Sequence, residues 1–333
     1  MKLSVLDQSP IRSGATAADA INETVQLAQA ADRLGYTRYW LAEHHASAGL
    51  AGSAPEIIIA RVAGATERIR VGSGGVMLSH YSPLKVAETF KVLETMYPGR
   101  IDVGIGRAPG SDGLTAAALA YGSQVGIEYF PSRVGDLRAF LTDAPPVTEA
   151  FARVRAMPVT LAAPEMWLLA SSEGSAQLAA HFGLALSFAY FINPHSGEDI
   201  VALYRREFQP SDLWPNPVVS VCAFVICAET EDRAQYLAKS RKLWRVQLEK
   251  GELGPYPTPE EADAYPYTPT DLARIEARAG ANIIGTPTQV KAGIEALAAR
   301  FGSDEVIVLT ISHDFAARVR SYELVAEAFG LHT

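Results

Sequence analysis

Three short segments of the chain carry the residues best suited to chemistry. They are Trp40-Leu-Ala-Glu-His-His45, Val71-Gly-Ser-Gly-Gly-Val-Met77 and Arg100-Ile-Asp-Val-Gly-Ile-Gly-Arg-Ala-Pro-Gly110. Each has the pattern of a short β-strand that ends in polar or glycine residues, and a helix-like segment separates it from the next. Reactive groups just beyond the carboxyl ends of successive strands indicate an α/β barrel whose site lies on one rim.

The first segment ends in a carboxylate and two imidazoles. His44 could act as a general base or a hydrogen-bond donor, because imidazole changes charge near physiological pH. Glu43 could orient His44 or contact the ring of a ligand, although such a cluster can also do no more than end a strand. A metal site would need a third ligand, and neither HExxH nor a similar spacing occurs. We therefore predict catalytic roles for His44 and Glu43 and no metal.

The second segment is rich in glycine. Gly72, Gly74 and Gly75 lie in a predicted strand and at its exit. Glycine in a strand often marks a close approach of a ligand to the backbone, and a flat ring could lie against a wall that has no Cβ atoms. A simple β-bulge explains the same glycines equally well.

Two further positions could bind an anion. Arg107 follows a predicted strand, where its planar guanidinium could hold a phosphate, and a surface salt bridge is the ordinary alternative. The run Ala170-Ser-Ser-Glu-Gly-Ser175 begins a predicted helix, where hydroxyls and free backbone N–H groups can form an anion site. Ser172 or Ser175 could instead be an N-cap, or could serve both purposes. The glycine spacing from Gly104 to Gly110 is not GxGxxG, so it is not a dinucleotide fingerprint.

The elements that must position these groups alternate along the chain. Eight apolar runs, from residues 2–7 to residues 305–311, lack period-two alternation, and helical patterns follow nearly all of them. A doubly wound sheet would also alternate strands and helices, but it seldom reaches eight units without a recognisable switch-point motif. We predict a (β/α)8 TIM barrel, one domain over residues 1–333, with a long lid insertion after strand seven.

The predicted insertion, at about residues 250–285, differs in composition from the rest of the chain. Five prolines between residues 255 and 269 accompany several acidic residues and no apolar periodicity. This is the composition of a loop, and the segment is long enough to be a lid rather than a connector.

Composition limits the classes of protein and the partners. The chain has 333 residues, of which 48% are hydrophobic and 20% charged, so it can bury a large core. Its formal net charge of −8 argues against a nucleic-acid partner. Neither a signal-peptide pattern nor an apolar run of roughly 18 to 20 residues is present, which argues against a membrane segment. Cys222 and Cys227 lie five apart in one predicted strand, on opposite faces, so we expect no disulfide and a cytoplasmic chain.

Together these segments resemble the luciferase-like flavin monooxygenases, in particular the single-chain bacterial subgroup with a GRAPG turn. The segments span most of the chain in order. The resemblance is carried by Ala42-Glu-His-His45, Ala54-Pro-Glu56, Ile69-Arg-Val-Gly-Ser-Gly-Gly-Val-Met-Leu78, Pro83-Leu-Lys-Val-Ala-Glu88, Pro98-Gly-Arg-Ile-Asp102, Gly104-Ile-Gly-Arg-Ala-Pro-Gly110, Ser172-Glu-Gly-Ser-Ala-Gln-Leu-Ala-Ala180 and Gly285-Thr-Pro287.

The resemblance implies a (β/α)8 barrel with a mobile lid after strand seven, and reduced FMN as cosubstrate. The flavin ring would lie over a strained peptide beside Glu43 and His44, and His44 matches the position of the catalytic acid–base. The reduced flavin would react with O2 at C4a to give a peroxide that oxygenates an organic substrate. The residues implied for cofactor binding are Gly74, Gly75, Met77, Arg107, Ser171, Ser172 and Ser175.

The resemblance also bears on partners. The sequence has no second nucleotide motif, so reduced flavin would come from a separate flavin reductase. Family members commonly dimerise through helices two and three, and we therefore expect a homodimer. Gly106 stands where bacterial luciferase has a reactive cysteine, and the contents of the lid also differ, which argues against aldehyde oxidation with light emission.

Two alternatives to this activity remain open. An F420-dependent oxidoreductase would use the same rim for hydride transfer without oxygen, and a non-catalytic flavin-binding protein would keep the phosphate site without needing His44. Tyr81, Tyr190 and Phe191, together with tyrosines of the lid, could line an aromatic pocket for a small organic substrate. Scattered aromatic residues are more often part of a core.

Overall fold

The computed structural model describes residues 1–121, 127–252 and 254–331, in which strands and helices alternate. The strands are β1 (Lys2–Asp7), β2 (Arg38–Leu41), β3 (Arg70–Ser73), β4 (Val76–Met77), β5 (Ile101–Gly106), β6 (Glu165–Ala170), β7 (Ala185–Ala189), β8 (Val219–Cys227), β9 (Ile283–Gly285) and β10 (Glu305–Leu309). The helices are α1 (Ala17–Arg33), α2 (Pro55–Ala63), α3 (Pro83–Met96), α4 (Gly113–Ala120), α5 (Phe130–Leu141), α6 (Glu173–His181), α7 (Gly197–Glu207), α8 (Glu231–Lys250), α9 (Pro259–Ala264), α10 (Pro269–Ala277), α11 (Pro287–Phe301) and α12 (Phe315–Phe329).

The strands close into a parallel barrel. Their order is β1-β2-β3-β5-β6-β7-β8-β10, and β10 pairs with both β8 and β1 to complete the ring. The short strands β4 and β9 lie outside this ring and pair with β5 and β8. The predicted (β/α)8 barrel is confirmed. In the described part of the chain, no helix is both long enough and apolar enough to cross a membrane.

Each barrel strand is buried on both faces, which explains the unbroken apolar runs in the sequence. Residues such as Val5 and Val221 point outward and pack against the helices, whereas Leu6 and Cys222 point into the barrel. Cys227 belongs to the outer cluster, so the two cysteines lie on opposite faces of β8 as predicted, and both are free thiols.

A buried ionic network lies near the start of the strands. Asp102 of β5 is fully buried and accepts hydrogen bonds from Arg38 (2.9 Å), Arg70 (2.5 Å) and the indole N–H of Trp40 (2.9 Å). Arg38 also pairs with Glu305 of β10 at 2.9 Å. These bonds connect four barrel strands at the end opposite the predicted site.

The insertion after β8 contains helices where a loop was expected. Pro259 and Pro269 each occupy the first position of a helix, α9 or α10, and Thr258 and Thr268 form capping boxes just before them. Proline suits the first helical turn because its missing N–H would have no partner there. The loop prediction is therefore wrong for these residues. Tyr256, one of the lid tyrosines proposed for a pocket, is instead buried, and its hydroxyl donates to the Ile311 carbonyl at 3.1 Å.

Candidate active site

A cavity of about 680 Å³ opens at the carboxyl ends of the barrel strands. This volume is in the range of cofactor and substrate pockets. Its walls come from the segments after β2, β3, β5, β6 and β7, and from helix α8, whereas Leu6, Trp40 and Ile307 form its floor. The cavity brings together most of the predicted site residues, namely His44, Gly74, Gly75, Met77, Arg107, Ser171, Ser172, Ser175 and Phe191.

His44 lies just after β2 in the wall of this cavity. Its ring atom Nδ1 is buried, and none of the described residues forms a hydrogen bond with it. Burial, together with the neighbouring His45, lowers the pKa of His44 to about 4. The imidazole is therefore neutral at physiological pH. A buried polar atom without a protein partner is an exception in folded proteins, and here it is available to a ligand.

Glu43 does not orient His44, contrary to the expectation from the sequence. The buried Glu43 carboxylate bonds to Nε2 of His45 at 2.7 Å and accepts hydrogen bonds from the Met77 backbone N–H (2.9 Å) and the Tyr81 hydroxyl (2.6 Å). Side chains two residues apart in extended backbone share a side, which places Glu43 with His45 rather than with His44. Glu43 thus ties the segment after β2 to the one that contains Met77.

Two of the three aromatic residues proposed for substrate binding lie outside the cavity walls. The hydroxyl of Tyr81 is held by Glu43, and burial, together with that hydrogen bond, raises the pKa of Tyr81. The ring of Tyr190 packs against Phe301 of α11, with 5.9 Å between ring centroids, on the outer side of the barrel. Phe191, the next residue, points the other way and does line the cavity.

Arg107 lies against the start of α6, an arrangement that could hold an anion. The Nη2 atom of Arg107 donates to the Ser172 hydroxyl at 3.1 Å. Ser172 occupies the N-cap position of α6, but its side chain makes no capping bond, which leaves the first backbone N–H groups of the helix free for a ligand. A Cβ atom on Gly174 would lie 3.2 Å from Nη1 of Arg107, so glycine gives the guanidinium room at the helix start. Ser175 is buried at the same edge of the cavity.

Gly74 and Gly75 bridge β3 and β4 in the cavity wall, and the peptide between them is cis. A Cβ atom on Gly75 would lie 2.8 Å from the Gly104 carbonyl oxygen, and one on Gly74 would lie 2.7 Å from the Leu6 side chain. The glycines therefore interrupt the strand, and neither position has room for a side chain beside Gly104 and Leu6.

Helix α8 supplies site residues that sequence reasoning missed. Arg241, Trp244, Arg245 and Leu248 line the cavity. Their spacing of three, four and seven residues places them on one face of the helix, and this spacing is the signal that could have identified them. In the described ranges, no group of three or more His, Cys, Asp or Glu side chains is arranged to hold a metal ion.

The low pKa of His44 predicts a pH dependence of stability. Its pKa falls from an ordinary value of 6.5 to about 4 in the folded chain, so the unfolded chain binds a proton more readily between these values. The free energy of unfolding therefore has its full value above pH 6.5. As the pH falls, protonation of His44 in the unfolded chain lowers this free energy, by about 3 kcal/mol at pH 4. We expect His44→Gln to lose less stability over this range in urea denaturation. His195→Gln, at an exposed position, should follow the wild type, and equal pH profiles for all three proteins would contradict the assignment.

Comparison with known proteins identifies the family of the chain. A family model described as luciferase-like monooxygenase matches residues 1–305. The uncharacterized protein YceB of Bacillus subtilis (strain 168) is 45% identical over 98% of this chain and 99% of its own. The N-acetyl-S-alkylcysteine monooxygenase of the same organism is 36% identical over 98% of both chains. The crystal structure of apo-MsnO8 superposes with a TM-score of 0.88 at 37% identity, covering 99% of this chain and 98% of that one.

The chain therefore belongs to the luciferase-like monooxygenase family and is an enzyme of the oxidoreductase class. Two more distant structures share the fold alone. One is the oxygenating constituent of 3,6-diketocamphane monooxygenase in complex with FMN, with a TM-score of 0.71 at 19% identity. The other is an F420-dependent secondary alcohol dehydrogenase, with a TM-score of 0.67 at 15% identity.

Proposed function

We propose that this enzyme uses reduced FMN, delivered by a separate flavin reductase, and O2 to oxygenate a small organic substrate. The observation that carries the proposal is the cradle formed by Arg107, Ser172 and the free N-terminus of α6, at the edge of the cavity that also contains His44. A phosphate suits this cradle, because a guanidinium, a hydroxyl and backbone N–H groups converge there.

Different residues of the cavity would bind the cofactor and transfer the proton. Arg107, Ser172 and Ser175 would hold the FMN phosphate, and the wall at Gly74 and Gly75 would admit the flat ring. The neutral ring of His44 would hold or move a proton at Nδ1, the atom that has no protein partner among the described residues. Reduced flavin supplies the electrons and the reactivity toward O2.

The remaining walls would exclude water from the reaction. Leu6, Trp40, Trp244 and Leu248 present apolar surface to the cavity. A largely apolar enclosure prevents side reactions of a bound reactive species with solvent. One relative is named as an N-acetyl-S-alkylcysteine monooxygenase, so such thioethers belong in the first panel of candidate substrates.

The phosphate assignment predicts a loss of affinity in Arg107→Ala. Charge-assisted hydrogen bonds contribute about 1.5 to 3 kcal/mol each, so the Kd for FMN should rise by about ten- to 150-fold. Calorimetric titration with FMN and with riboflavin, which lacks the phosphate, measures this effect. The wild type should prefer FMN, and the variant should lose that preference.

The matched control is Arg155→Ala, which removes an exposed guanidinium outside the cavity and should leave both affinities unchanged. Equal FMN affinity in wild type and Arg107→Ala would rule out the phosphate site.

We further infer that the enzyme acts in the cytoplasm as a homodimer. Helices α2 and α3 expose Ile57, Val92 and Met96, whose exposed fractions are 69%, 46% and 53%. An apolar face of this kind is suited to contact with a second copy. Sedimentation equilibrium of wild type and Met96→Glu tests this contact, and a monomeric wild type would contradict it.

A further inference from the structure

The cavity contains a buried positive charge that the proposed flavin site does not use. Arg241 of α8 lines the cavity and is 7% exposed. Its guanidinium carbon lies 4.4 Å from the centre of the Phe224 ring and 5.4 Å from that of Trp244. In the described part of the chain, no carboxylate pairs with Arg241. Of the ionisable groups that act on it, Tyr256 is a phenol, and Arg245 and Arg278 are cationic.

Further arginines lie close to Arg241 and add to the positive charge around it. A small cavity between α8 and α10 is lined by Arg241, Arg245, Arg274 and Arg278. Glu249 is the carboxylate among its lining residues, and it pairs with Arg245 at 3.0 Å, Arg278 at 3.5 Å and Arg274 at 3.9 Å. Glu249 thus pairs with three of these four guanidinium groups and leaves Arg241 without a counter-charge among the residues that line this small cavity.

A buried charge of this kind is costly unless a partner neutralises it. Burial lowers the pKa of Arg241 to about 10, and the charges of Arg245 and Arg278 act in the same direction, yet the group stays protonated at neutral pH. The planar fork of arginine matches a carboxylate or sulfonate. Trp244, which lines the cavity beside Arg241, provides an apolar surface for the adjoining part of the same ligand. A buried guanidinium without a counter-charge, beside an aromatic ring, suits an organic anion.

We propose that Arg241 binds the anionic group of the substrate, so that this enzyme acts on organic acids with an apolar body and a carboxylate or sulfonate. This inference rests on the proposed function, since it assigns the cavity beyond the flavin to the substrate. It places the anion of the substrate against α8 and the flavin phosphate against α6, on separate cationic groups.

The test compares ligands that differ only in charge. The probes are ω-phenylalkanoates with side chains of three to six carbons and the matching neutral amides, titrated calorimetrically into FMN-saturated wild type, Arg241→Met and Arg241→Lys. We expect the wild type to bind at least one carboxylate about ten- to a hundredfold more tightly than its amide, the range for a charge-assisted pair. Arg241→Met should abolish this preference, and Arg241→Lys should retain part of it.

The control is Arg233→Met, on the same helix. Arg233 also stacks on an aromatic ring, 5.1 Å from the centre of Tyr236, but it is exposed and lies outside the cavity walls, so the carboxylate preference should persist. Titration with phenylalkanesulfonates under the same conditions shows whether the site prefers a sulfonate or a carboxylate.

Three results would overturn the inference. The first is the absence of any preference for carboxylate or sulfonate over amide in the wild type at every chain length, and the second is a preference that survives in Arg241→Met. The third is a loss of FMN binding in Arg241→Met, which would assign Arg241 to the cofactor. Failure of the proposed function is a distinct result, since the wild type would then fail to bind FMN in the preceding saturation step.

Discussion

Replacing His44 with glutamine is expected to reduce turnover by about a hundred- to ten-thousandfold, the usual contribution of a positioned acid–base group. Glutamine keeps hydrogen-bonding atoms in the cavity wall, but it cannot take up and release a proton. Since the phosphate site that we propose at Arg107 and Ser172 is separate from His44, FMN affinity should stay at the wild-type value. The measurement is steady-state oxygenation of a panel substrate with a supplied reductase, together with an FMN titration of each protein.

Two variants control for this experiment. His195→Gln, outside the cavity walls, should keep full turnover, and His44→Ala should lose turnover like His44→Gln while still binding FMN. Unchanged turnover in His44→Gln would rule out proton transfer by this residue and leave it a positioning role only. Equal losses of turnover and FMN affinity would place His44 in the cofactor site instead.

Replacing Asp102 with alanine is expected to lower the free energy of unfolding by about 3 to 5 kcal/mol, the range for breaking a buried ion pair. The change removes the common acceptor of Arg38, Arg70 and the Trp40 indole N–H, and it leaves Arg38 buried beside fewer carboxylates. Because Trp40 also forms part of the cavity floor, the loss should loosen the site as well as the barrel. Urea denaturation at pH 7 measures the effect.

The comparison variant is Glu207→Ala, which breaks the exposed Arg206–Glu207 pair. Surface pairs contribute about 0 to 1 kcal/mol, so this protein should denature nearly like the wild type. If Asp102→Ala and Glu207→Ala had the same midpoint and slope in urea denaturation, the network at Asp102 would not stabilise the barrel as proposed.

The location of the site could be predicted because barrel geometry gathers strand ends. His44, Gly74, Arg107 and Ser172 lie on four different strand exits, far apart in sequence, and they line one cavity. The order of the elements was enough to place them on the same rim, since all parallel strands end at the same side of a barrel.

The pairing of side chains within the rim could not be predicted in the same way. Glu43 is held by Met77 and Tyr81, whose approach depends on the packing of the segment after β3. Helix α11 lies where no helix was predicted, although Val290, Ile294, Leu297 and Phe301 recur at helical spacing. The preceding prolines obscured that pattern, because composition alone does not distinguish a proline that starts a helix from one that forms a turn.

The role of α8 was hidden for a different reason. Its sequence has charged residues throughout, which is typical of a solvated helix, and only the folded structure shows that the face with Arg241 and Trp244 closes the cavity. Burial of a charged side chain is decided by tertiary packing, and local pattern carries little information about it.

The central claim, that the chain is an FMN-dependent monooxygenase, is tested most directly by anaerobic titration of the purified protein with reduced FMN and with reduced F420, followed by rapid mixing with O2. We expect binding of reduced FMN and an oxygen-dependent absorbance transient that free reduced FMN does not give. Binding of F420 alone, with no reaction toward O2, would contradict it and assign the enzyme to hydride transfer.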